Sequence, residues 1–349
     1  MLGLNIGIDL GTTSVIIYVE GKGIIMSEPS VVAFRTDTGR IMSVGSAAYD
    51  MIGRCPDSIT AIRPMKDGVV SDFTVTEQML RYYIQKICGN KIFKPNIIVC
   101  MPSSVTNLER RTILDVITAS GAGKACLIEE PLAAAIGAGV DIFHPRGIMI
   151  VDIGGGTSDA AIITMGSIAI SKSVKSAGNI LNQAIMRYAR RERDVLIGEL
   201  TAEEIKKTIG CAYLRKEEIA MVAKGKNYVT GMPVSFEITS TETYLAMREH
   251  INTVIETIKL VLEETPPELV GDLMQEGIVL TGGGAKLYGL DTAIEEATKL
   301  KTRVAEDSAN CVANGIGKVL KNLEFLADNG YLFKTRQDIT GVEEEDNRY

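Results

Sequence analysis

The sequence predicts an α/β protein with two lobes of related structure. Apolar, β-branched runs alternate with helical patterns along the chain, which is typical of this class. The 349 residues are too many for one simple core and suit two domains of ordinary size. The segments Gly7–Ser14 and Val151–Asp159 share an apolar strand, an aspartate, a glycine turn and a threonine. A repeat at this spacing predicts related lobes that face each other across a cleft.

The predicted strands are β-branched runs, and three predicted helices begin with a threonine that precedes a glutamate by three residues. The strands are Asn5–Ile8, Val15–Val19, Asn96–Met101, Ile148–Ile153, Ala160–Ile163 and Ile278–Thr281. The capping pairs are Thr74 with Glu77, Thr106 with Glu109, and Thr201 with Glu204. The first of these helices is expected to bury Met79, Leu80, Tyr83, Ile84 and Ile87.

Composition narrows the range of functions. The formal net charge of −7 argues against a nucleic-acid binder held by overall charge, and the absence of tryptophan weakens a role in base stacking. Six cysteines without a CxxC pair indicate reduced thiols rather than disulfides or a zinc site. Because neither a leader peptide nor a membrane-spanning run is evident, we expect a soluble intracellular protein, with attachment to a membrane surface left open.

Three glycine-rich turns have the composition of phosphate-binding sites. Glycine adopts positive φ in a tight hairpin and lets backbone N–H groups approach an anion closely. The residues are Gly11, Thr12, Thr13 and Ser14 in the first turn, Gly154, Gly155, Gly156 and Thr157 in the second, and Gly282, Gly283 and Gly284 in the third. An ordinary hairpin is the alternative for any one turn, but three in this order favour nucleotide binding.

Aspartates precede the first two turns, at Asp9 and Asp152. A carboxylate beside a bound phosphate repels it unless a cation lies between them. Mg²⁺, which keeps several of its waters in such sites, is the expected cation. Competing nucleotide patterns fail, since Ala125 follows Lys124 where a P-loop needs serine or threonine, and no G-x-G-x-x-G follows the first strand.

Five further segments resemble the MreB/Mbl family of bacterial actin homologues. They are Glu28–Phe34, Ala61–Phe73, Ile128–Gly139, Leu196–Lys206 and Glu264–Leu269, in an order and spacing that match the family. The resemblance runs from about residue 5 to about residue 325. It implies the actin-like fold, a duplicated ribonuclease H-like α/β fold with two lobes of two subdomains around a nucleotide cleft.

The resemblance also implies limits for the domains. The first lobe would span residues 1–144, with a small subdomain inserted at about 33–65. The second would span 145–325, with a small subdomain at about 181–242 and with residues 311–325 returning to the first lobe. Residues 326–349 would form a tail whose acidic end we expect to be mobile.

By the same resemblance, the protein binds ATP with Mg²⁺, hydrolyses ATP to ADP and phosphate, and polymerises head-to-tail into paired protofilaments. The filaments would lie in the cytoplasm on the inner face of the cell membrane and control cell shape. The implied partners are further copies of the chain, that membrane and membrane-embedded morphogenesis proteins, but no nucleic acid. The alternative is a small-molecule kinase or a chaperone-type ATPase on the same fold.

The resemblance assigns roles to individual residues. Those expected to contact ATP are Thr12, Thr13, Ser14, Gly155, Gly156, Thr157, Glu203, Glu204, Ile205, Lys206, Gly283, Gly284, Ala285, Lys286, Leu287 and Tyr288. Glu130 and Thr157 are expected to position the attacking water, and Asp9 and Asp152 to hold Mg²⁺ through water. Without the resemblance, a carboxylate at a helix N-terminus ahead of Pro131 is the alternative for Glu130.

Two local features qualify these expectations. Ala177, Asn179 and Asn182 stand where the family usually has glycine, aspartate and aspartate, so two carboxylates are lost near the cleft. Ile92 and Phe93 lie between lysines in a predicted loop, a pattern that suits shallow insertion into an anionic bilayer. The family uses a hydrophobic loop at this place, whereas packing of the loop onto its own domain is the alternative.

Overall fold

The structure is a computed structural model that describes residues 3–89 and 93–322. The strands of the first half are β1 (Asn5–Leu10), β2 (Ser14–Val19), β3 (Gly23–Pro29), β4 (Val32–Arg35), β5 (Ile41–Val44), β6 (Ile59–Ile62), β7 (Met65–Lys66), β8 (Val69–Val70), β9 (Asn96–Met101) and β10 (Lys124–Glu129). The helices of this half are α1 (Ser46–Tyr49), α2 (Phe73–Cys88), α3 (Asn107–Ala119) and α4 (Glu130–Gly137).

The second half repeats the mixture of strands and helices. Its strands are β11 (Ile148–Ile153), β12 (Ser158–Thr164), β13 (Ser167–Val174), β14 (Val195–Leu196), β15 (Ala220–Asn227), β16 (Pro233–Thr239), β17 (Ile278–Thr281) and β18 (Thr302–Val304). Its helices are α5 (Gly178–Arg193), α6 (Glu199–Ile209), α7 (Ser240–Glu264), α8 (Pro267–Glu276), α9 (Leu290–Thr298) and α10 (Cys311–Leu320), with 3₁₀ turns at Gly284–Lys286 and Ser308–Asn310.

Two five-stranded sheets with the same topology form the framework. The first has the order β3-β2-β1-β9-β10 and the second the order β13-β12-β11-β17-β18. In each sheet, three antiparallel strands are followed by two strands that run parallel to the third. This duplication confirms the two related α/β units predicted from the internal repeat, and the six predicted strands all lie within observed strands or coincide with them.

Two small sheets stand beside the large ones. Strands β5-β4-β6 form an antiparallel sheet next to α1, and strands β14-β15-β16 form another next to α6. They overlap the segments predicted for the two small subdomains, whose limits stay predictions. Side chains near the first small sheet contact α6 beside the cavity described below.

Three large clusters of buried apolar side chains stabilise the fold, and a small fourth one lies at the first small sheet. One packs the first large sheet against α2 and α3, and another packs the second large sheet against α5, α6 and α7. The third lies between the large sheets and includes Ile98, Ile128, Ile150, Val279 and Ile316. Because both sheets contribute to it, the two lobes share apolar surface that neither can bury alone.

Helices α4 and α10 cross within this shared cluster at two glycines. A Cβ atom at Gly137 would lie 1.8 Å from the carbonyl oxygen of Cys311. A Cβ atom at Gly315 would lie 1.8 Å from the carbonyl oxygen of Ala133. The two backbones therefore touch at a distance that no other residue type permits.

One of the three predicted capping pairs is confirmed. The Glu109 N–H donates to Thr106 Oγ1 at 3.3 Å, and the Thr106 N–H donates to Glu109 Oε2 at 2.7 Å, at the start of α3. The same reciprocal pair, Thr239 with Glu242, begins α7 and was not predicted.

The other two predicted helix starts are wrong. Helix α2 begins at Phe73 because the Asp72 carboxylate accepts the Val75 N–H at 2.9 Å, which places Thr74 inside the helix. Helix α6 begins two residues before Thr201, after a glycine that provides no side-chain cap. The observed caps lie two residues upstream of Thr74 and three residues upstream of Thr201, and helix ends are the least certain part of a pattern-based prediction.

Candidate functional site

A cavity of about 770 Å³ opens between the two lobes. This volume suits a ligand of nucleotide size. The predicted site residues that line it are Asp9, Thr12, Thr13, Ser14, Glu130, Asp152, Gly155, Gly156, Thr157, Glu203, Lys206, Gly283, Gly284, Lys286, Leu287 and Tyr288. The fold thus brings the three glycine turns, both aspartates and part of α6 to one place, although they are far apart in the chain.

Three residues predicted to contact the nucleotide do not line this cavity. Glu204 faces solvent, whereas Ile205 and Ala285 are buried in the core of the second lobe. Along α6, each residue turns the side-chain direction by about 100°, so that neighbours of Glu203 and Lys206 point elsewhere. The side chains of these three residues therefore form no part of the cavity wall.

Two glycines of the second turn, Gly155 and Gly156, allow close approach between the lobes, and no glycine of the first two turns has the positive φ expected from the sequence. Left-handed φ is absent from Gly11, Gly154, Gly155 and Gly156. A Cβ atom at Gly155 would lie 2.1 Å from Thr13 Cγ2, and one at Gly156 would lie 2.4 Å from Thr12 Oγ1. The two turns touch across the cleft, and a side chain at either glycine would push them apart.

Left-handed backbone occurs instead in the turn between β7 and β8, where φ is 51° at Asp67 and 77° at Gly68. The Gly68 N–H donates to Thr12 Oγ1 at 2.8 Å, and a Cβ atom at Gly68 would lie 3.3 Å from Thr157 Cγ2. This hairpin therefore contacts both the first and the second glycine-rich turn. It was not predicted from the sequence, although an Asp-Gly pair is a known signal for such a turn.

Four carboxylates, those of Asp9, Glu130, Asp152 and Asp159, influence one another where the lobes meet. Burial raises the pKa of Asp9 to about 7, and the charge of Asp152 adds to this effect. Burial also raises the pKa of Asp152 to about 6. The pKa of Glu130 is raised well above its usual range by burial and by the charges of the other three. Each of these groups is therefore costly to ionise without a nearby cation.

Hydrogen bonds orient two of these carboxylates. Thr281 Oγ1 donates to Asp152 Oδ1 at 2.6 Å. The backbone N–H and the hydroxyl of Ser103 both donate to Asp159 Oδ1 at 3.1 Å. In the described part of the chain, no three His, Cys, Asp or Glu side chains converge closely enough to hold a metal ion directly. Hard oxygen donors that are spaced in this way suit a Mg²⁺ ion that keeps some of its waters.

Glu130 and Thr157 reach the cavity from different lobes. Glu130 is the first residue of α4 and precedes Pro131. This position also fits the alternative in which Glu130 only stabilises the helix N-terminus. Both side chains line the cavity while only 8% exposed. Their placement is compatible with the predicted handling of water, which stays a prediction.

The start of α5 is attached to the second turn. The Gly178 N–H donates to the Gly154 carbonyl at 3.1 Å, and the Asn179 N–H donates to the Gly155 carbonyl at 2.8 Å. From α6, Lys206 Nζ donates to the Gly178 carbonyl at 2.8 Å, and burial lowers the Lys206 pKa to about 8. A cationic side chain and a helix N-terminus thus lie beside the same glycine turn, an arrangement that favours anions.

The three departures from the family pattern lie at the start of α5. Asn179 lines the cavity, whereas Ala177 and Asn182 are buried at 2% exposure. Asn182 Oδ1 has no hydrogen-bond partner within the described residues. Asn179 is therefore the one of the three whose side chain is placed to meet a ligand.

Two polar contacts, which we call the clasp, join the lobes beside the cavity. Tyr49 Oη donates to Glu203 Oε2 at 2.5 Å, and Arg63 Nη2 donates to Glu199 Oε1 at 2.8 Å. Glu203 also forms an ion pair with Lys207 at 2.6 Å. Tyr49 and Arg63 were not predicted from the sequence, because no local pattern marks a residue whose partner lies more than a hundred positions away.

The predicted membrane loop lies partly outside the described residues. Ile92 falls in the part that is not described, while Phe93 is 53% exposed. Among the described helices, none combines the length and the apolar character that crossing a bilayer requires.

Duplicated sheets around a carboxylate-lined cleft define the class of protein as actin-like. The MamK double helical filament shares this fold with a TM-score of 0.77, over 91% of this chain and 99% of the MamK chain. Its sequence identity is 19%, so the likeness concerns the fold alone.

The chain belongs to the MreB/Mbl family, since the family model described as MreB/Mbl protein matches residues 3–328. The cell shape-determining protein Mbl of Bacillus subtilis is 45% identical over 329 residues, which cover 93% of this chain and 98% of that protein. Crystal structures of MreB5 of Spiroplasma citri bound to ADP and to AMPPNP are 36% identical, with TM-scores of 0.89 and 0.90. They cover 94% and 95% of this chain and 99% of theirs. The predicted family and actin-like fold are confirmed.

Proposed function

We propose that this protein is an ATP-binding and ATP-hydrolysing bacterial actin that polymerises on the inner face of the cell membrane and controls cell shape. The observation that carries the proposal is the group of carboxylates beside two touching glycine turns, of which Glu130, Asp152 and Asp159 are buried and Asp9 is partly buried. The solved MreB5 structures contain ADP and AMPPNP, and the Mbl relative is a cell shape-determining protein. These relatives support a nucleotide as the ligand and cell shape as the role.

The phosphates of ATP would lie at the glycine turns, where backbone N–H groups, Lys206 and the N-terminus of α5 provide positive potential. Asp9 and Asp152 would hold Mg²⁺ through its waters. The positive charge of the ion would balance the negative charges of the carboxylates and of the phosphates. Burial raises the pKa of both aspartates, and a bound cation would favour their ionised forms.

Hydrolysis would depend on positioning more than on covalent chemistry. With the positive charge of Mg²⁺ favouring its ionised form, Glu130 would accept a hydrogen bond from the attacking water and draw off its proton, and the Thr157 hydroxyl would orient that water. Because Glu130 and Thr157 belong to different lobes, the water would be held only when the two lobes are correctly placed. Closure of the cleft and turnover would thus be coupled.

Assembly and membrane attachment belong to the same proposal. Head-to-tail contacts between copies of one chain generate open filaments, which suit a scaffold. The MamK chain, which has the same fold, is part of a double helical filament, and this supports the proposal. Phe93, exposed between basic residues, would insert shallowly into the bilayer, and many copies in one filament would make this weak contact effective. Membrane-embedded morphogenesis proteins would be further partners.

Sedimentation with nucleotide tests the proposal. The purified protein at micromolar concentration is expected to pellet with ATP and Mg²⁺, to release phosphate, and to show filaments by electron microscopy. A protein that stays in the supernatant while it transfers phosphate from ATP to a sugar would establish the kinase alternative instead. Binding of ATP without sedimentation under any salt condition would also contradict polymerisation.

A further inference from the structure

An arginine–tyrosine stack forms part of the cavity wall beyond the third glycine turn. The guanidinium carbon of Arg215 lies 3.8 Å from the centre of the Tyr288 ring, and both side chains line the cavity. A guanidinium is planar and can stack on two flat surfaces at once. Since Tyr288 covers one face of the guanidinium, a flat ligand group in the cavity would stack on the other.

The backbone around this stack is well fixed. Cys211 and Tyr288 form a β-bridge, and the Ala212 N–H donates to the Tyr288 carbonyl at 2.7 Å. Gly289 has a φ of 72°, and a Cβ atom there would lie 2.6 Å from Tyr213 Cβ. The segment that carries Arg215 is therefore held directly against the segment that carries Tyr288. Such a preorganised pair loses little entropy when a ligand binds.

The stack lies away from the phosphate turns along α6. Lys206 contacts Gly178 beside the second turn, and Gly210, four residues later, lines the cavity next to the stack. This step along the helix corresponds to about 6 Å. Arg215 Nε is buried without a hydrogen-bond partner in the described parts of the chain. The Arg215 guanidinium is thus a planar cation with an unused hydrogen-bond donor. With the phosphates of a nucleotide at the glycine turns, its base would lie at this end of the cavity.

We propose that Arg215 binds the nucleobase, with the purine ring stacked on the guanidinium and the guanidinium stacked on Tyr288. This inference rests on the proposed binding of a nucleotide in the cleft. Its energy comes from cation–π attraction and from the flat contact of a desolvated planar cation with an aromatic ring. The class of ligand it selects is a purine nucleotide, because a purine offers the larger stacking surface.

Calorimetry with two ligands tests this assignment. ATP carries a base, whereas inorganic tripolyphosphate carries only the phosphates. Arg215→Ala is expected to weaken ATP binding about tenfold and to leave tripolyphosphate binding unchanged. Arg215→Lys keeps the charge but not the plane, so most of the loss is expected to persist. Tyr288→Leu, which removes the platform, is expected to weaken ATP binding in the same selective way.

Arg190 provides the matched control, since it stacks on Tyr228 at 4.4 Å and neither residue lines the cavity. Arg190→Ala is expected to bind ATP like wild type. Equal losses for ATP and tripolyphosphate would show that Arg215 acts through its charge on the phosphates and would overturn the assignment, as would unchanged ATP binding by Arg215→Ala. If the wild-type protein binds no ATP, the proposed function fails along with it.

Discussion

At the scale of single residues, the surroundings of the carboxylates in the cleft make their ionised forms unfavourable. The Asp9 pKa of about 7 compares with an ordinary value of 3.8, so the folded state holds the Asp9 proton more tightly than the unfolded state does. Stability contributed by protonated Asp9 is therefore present at low pH and lost as the pH rises from about 4 to about 7. The Mg²⁺ site proposed above would account for this arrangement, in which function reduces stability.

The variant Asp9→Asn tests this cost. In metal-free protein at pH 8, the variant is expected to raise the free energy of unfolding by about 1–2 kcal/mol, because it removes a buried charge. The gain is expected to be smaller at pH 5. Urea unfolding at the two pH values measures it, with the exposed Asp57→Asn as a control that leaves stability nearly unchanged. A less stable variant at pH 8 would show that the fold favours the ionised carboxylate.

A second prediction at this scale concerns hydrolysis. Glu130→Gln keeps the size of the side chain but cannot accept a proton, so phosphate release is expected to slow by about 10²–10⁴-fold while ATP affinity changes little. Thr157→Ala is expected to slow release in the same direction. Single-turnover phosphate release measures both. Glu129→Gln, at the neighbouring position outside the cavity, is the control, and turnover of Glu130→Gln at the wild-type rate would remove Glu130 from the mechanism.

At the scale of helices and strands, the crossing of α4 and α10 depends on two glycines. A methyl group at Gly315 would overlap the Ala133 carbonyl, so the helices would have to separate within the cluster shared by both lobes. Apolar contacts on either side of the crossing would then be lost together.

The variant Gly315→Ala is expected to lower the free energy of unfolding by about 1–3 kcal/mol, in spite of the higher helix propensity of alanine. Gly271→Ala in α8 is the matched control, because a methyl group at Gly271 would meet nothing within 4 Å. That control is expected to gain about 0.5–1 kcal/mol. Thermal unfolding of both compares the two effects. A stabilised Gly315→Ala protein would mean that the helices can move apart freely.

Sequence patterns predicted the elements whose signals are local. Six strands of the large sheets and the capping pair at Thr106 follow from runs of a few residues. The true start of α2, which Asp72 caps, was missed because Thr74 with Glu77 fits the same capping pattern. The glycine turns were located, but their physical role was not, because the atoms that crowd Gly155 belong to the other lobe. Arg215 and the clasp were missed for the same reason. Contacts between distant segments arise only from the tertiary fold.

At the scale of the whole molecule, the clasp connects the two lobes next to the cavity. Both of its contacts join α6 to the segment around the first small sheet, and each is partly shielded from solvent. Each such contact contributes about 1 kcal/mol when its partners are not fully exposed. Together they favour a closed cleft over an open one.

Substitutions that weaken both contacts of the clasp, one in each lobe, are expected to speed nucleotide release. The double variant Tyr49→Phe with Glu199→Gln loses one partner from each contact, and its nucleotide dissociation rate is expected to rise about tenfold. Stopped-flow displacement of a fluorescent nucleotide measures this rate. Glu204→Gln, on the solvent face of the same helix, is the control. An unchanged rate would mean that other contacts keep the cleft closed.

The proposed membrane attachment would also depend on the whole assembly. Phe93→Ser is expected to reduce co-sedimentation of filaments with anionic liposomes at least several-fold, because it removes an exposed apolar side chain beside basic residues. Phe143→Ser alters a side chain of similar exposure elsewhere and serves as the control. Equal binding by both variants would direct attention to another anchor, such as the C-terminal tail.

The position of α10 has a consequence for how the chain is made. Gly7 of β1 packs against Ile316, where a Cβ atom would lie 2.5 Å from Ile316 Cγ2, so β1 is covered by the last described helix, which is synthesised long after it. Until the ribosome has released α10, the first large sheet presents an apolar face to water. Closing this contact requires a loop of some three hundred residues, which is slow. Nascent chains stalled before α10 are therefore expected to recruit chaperones.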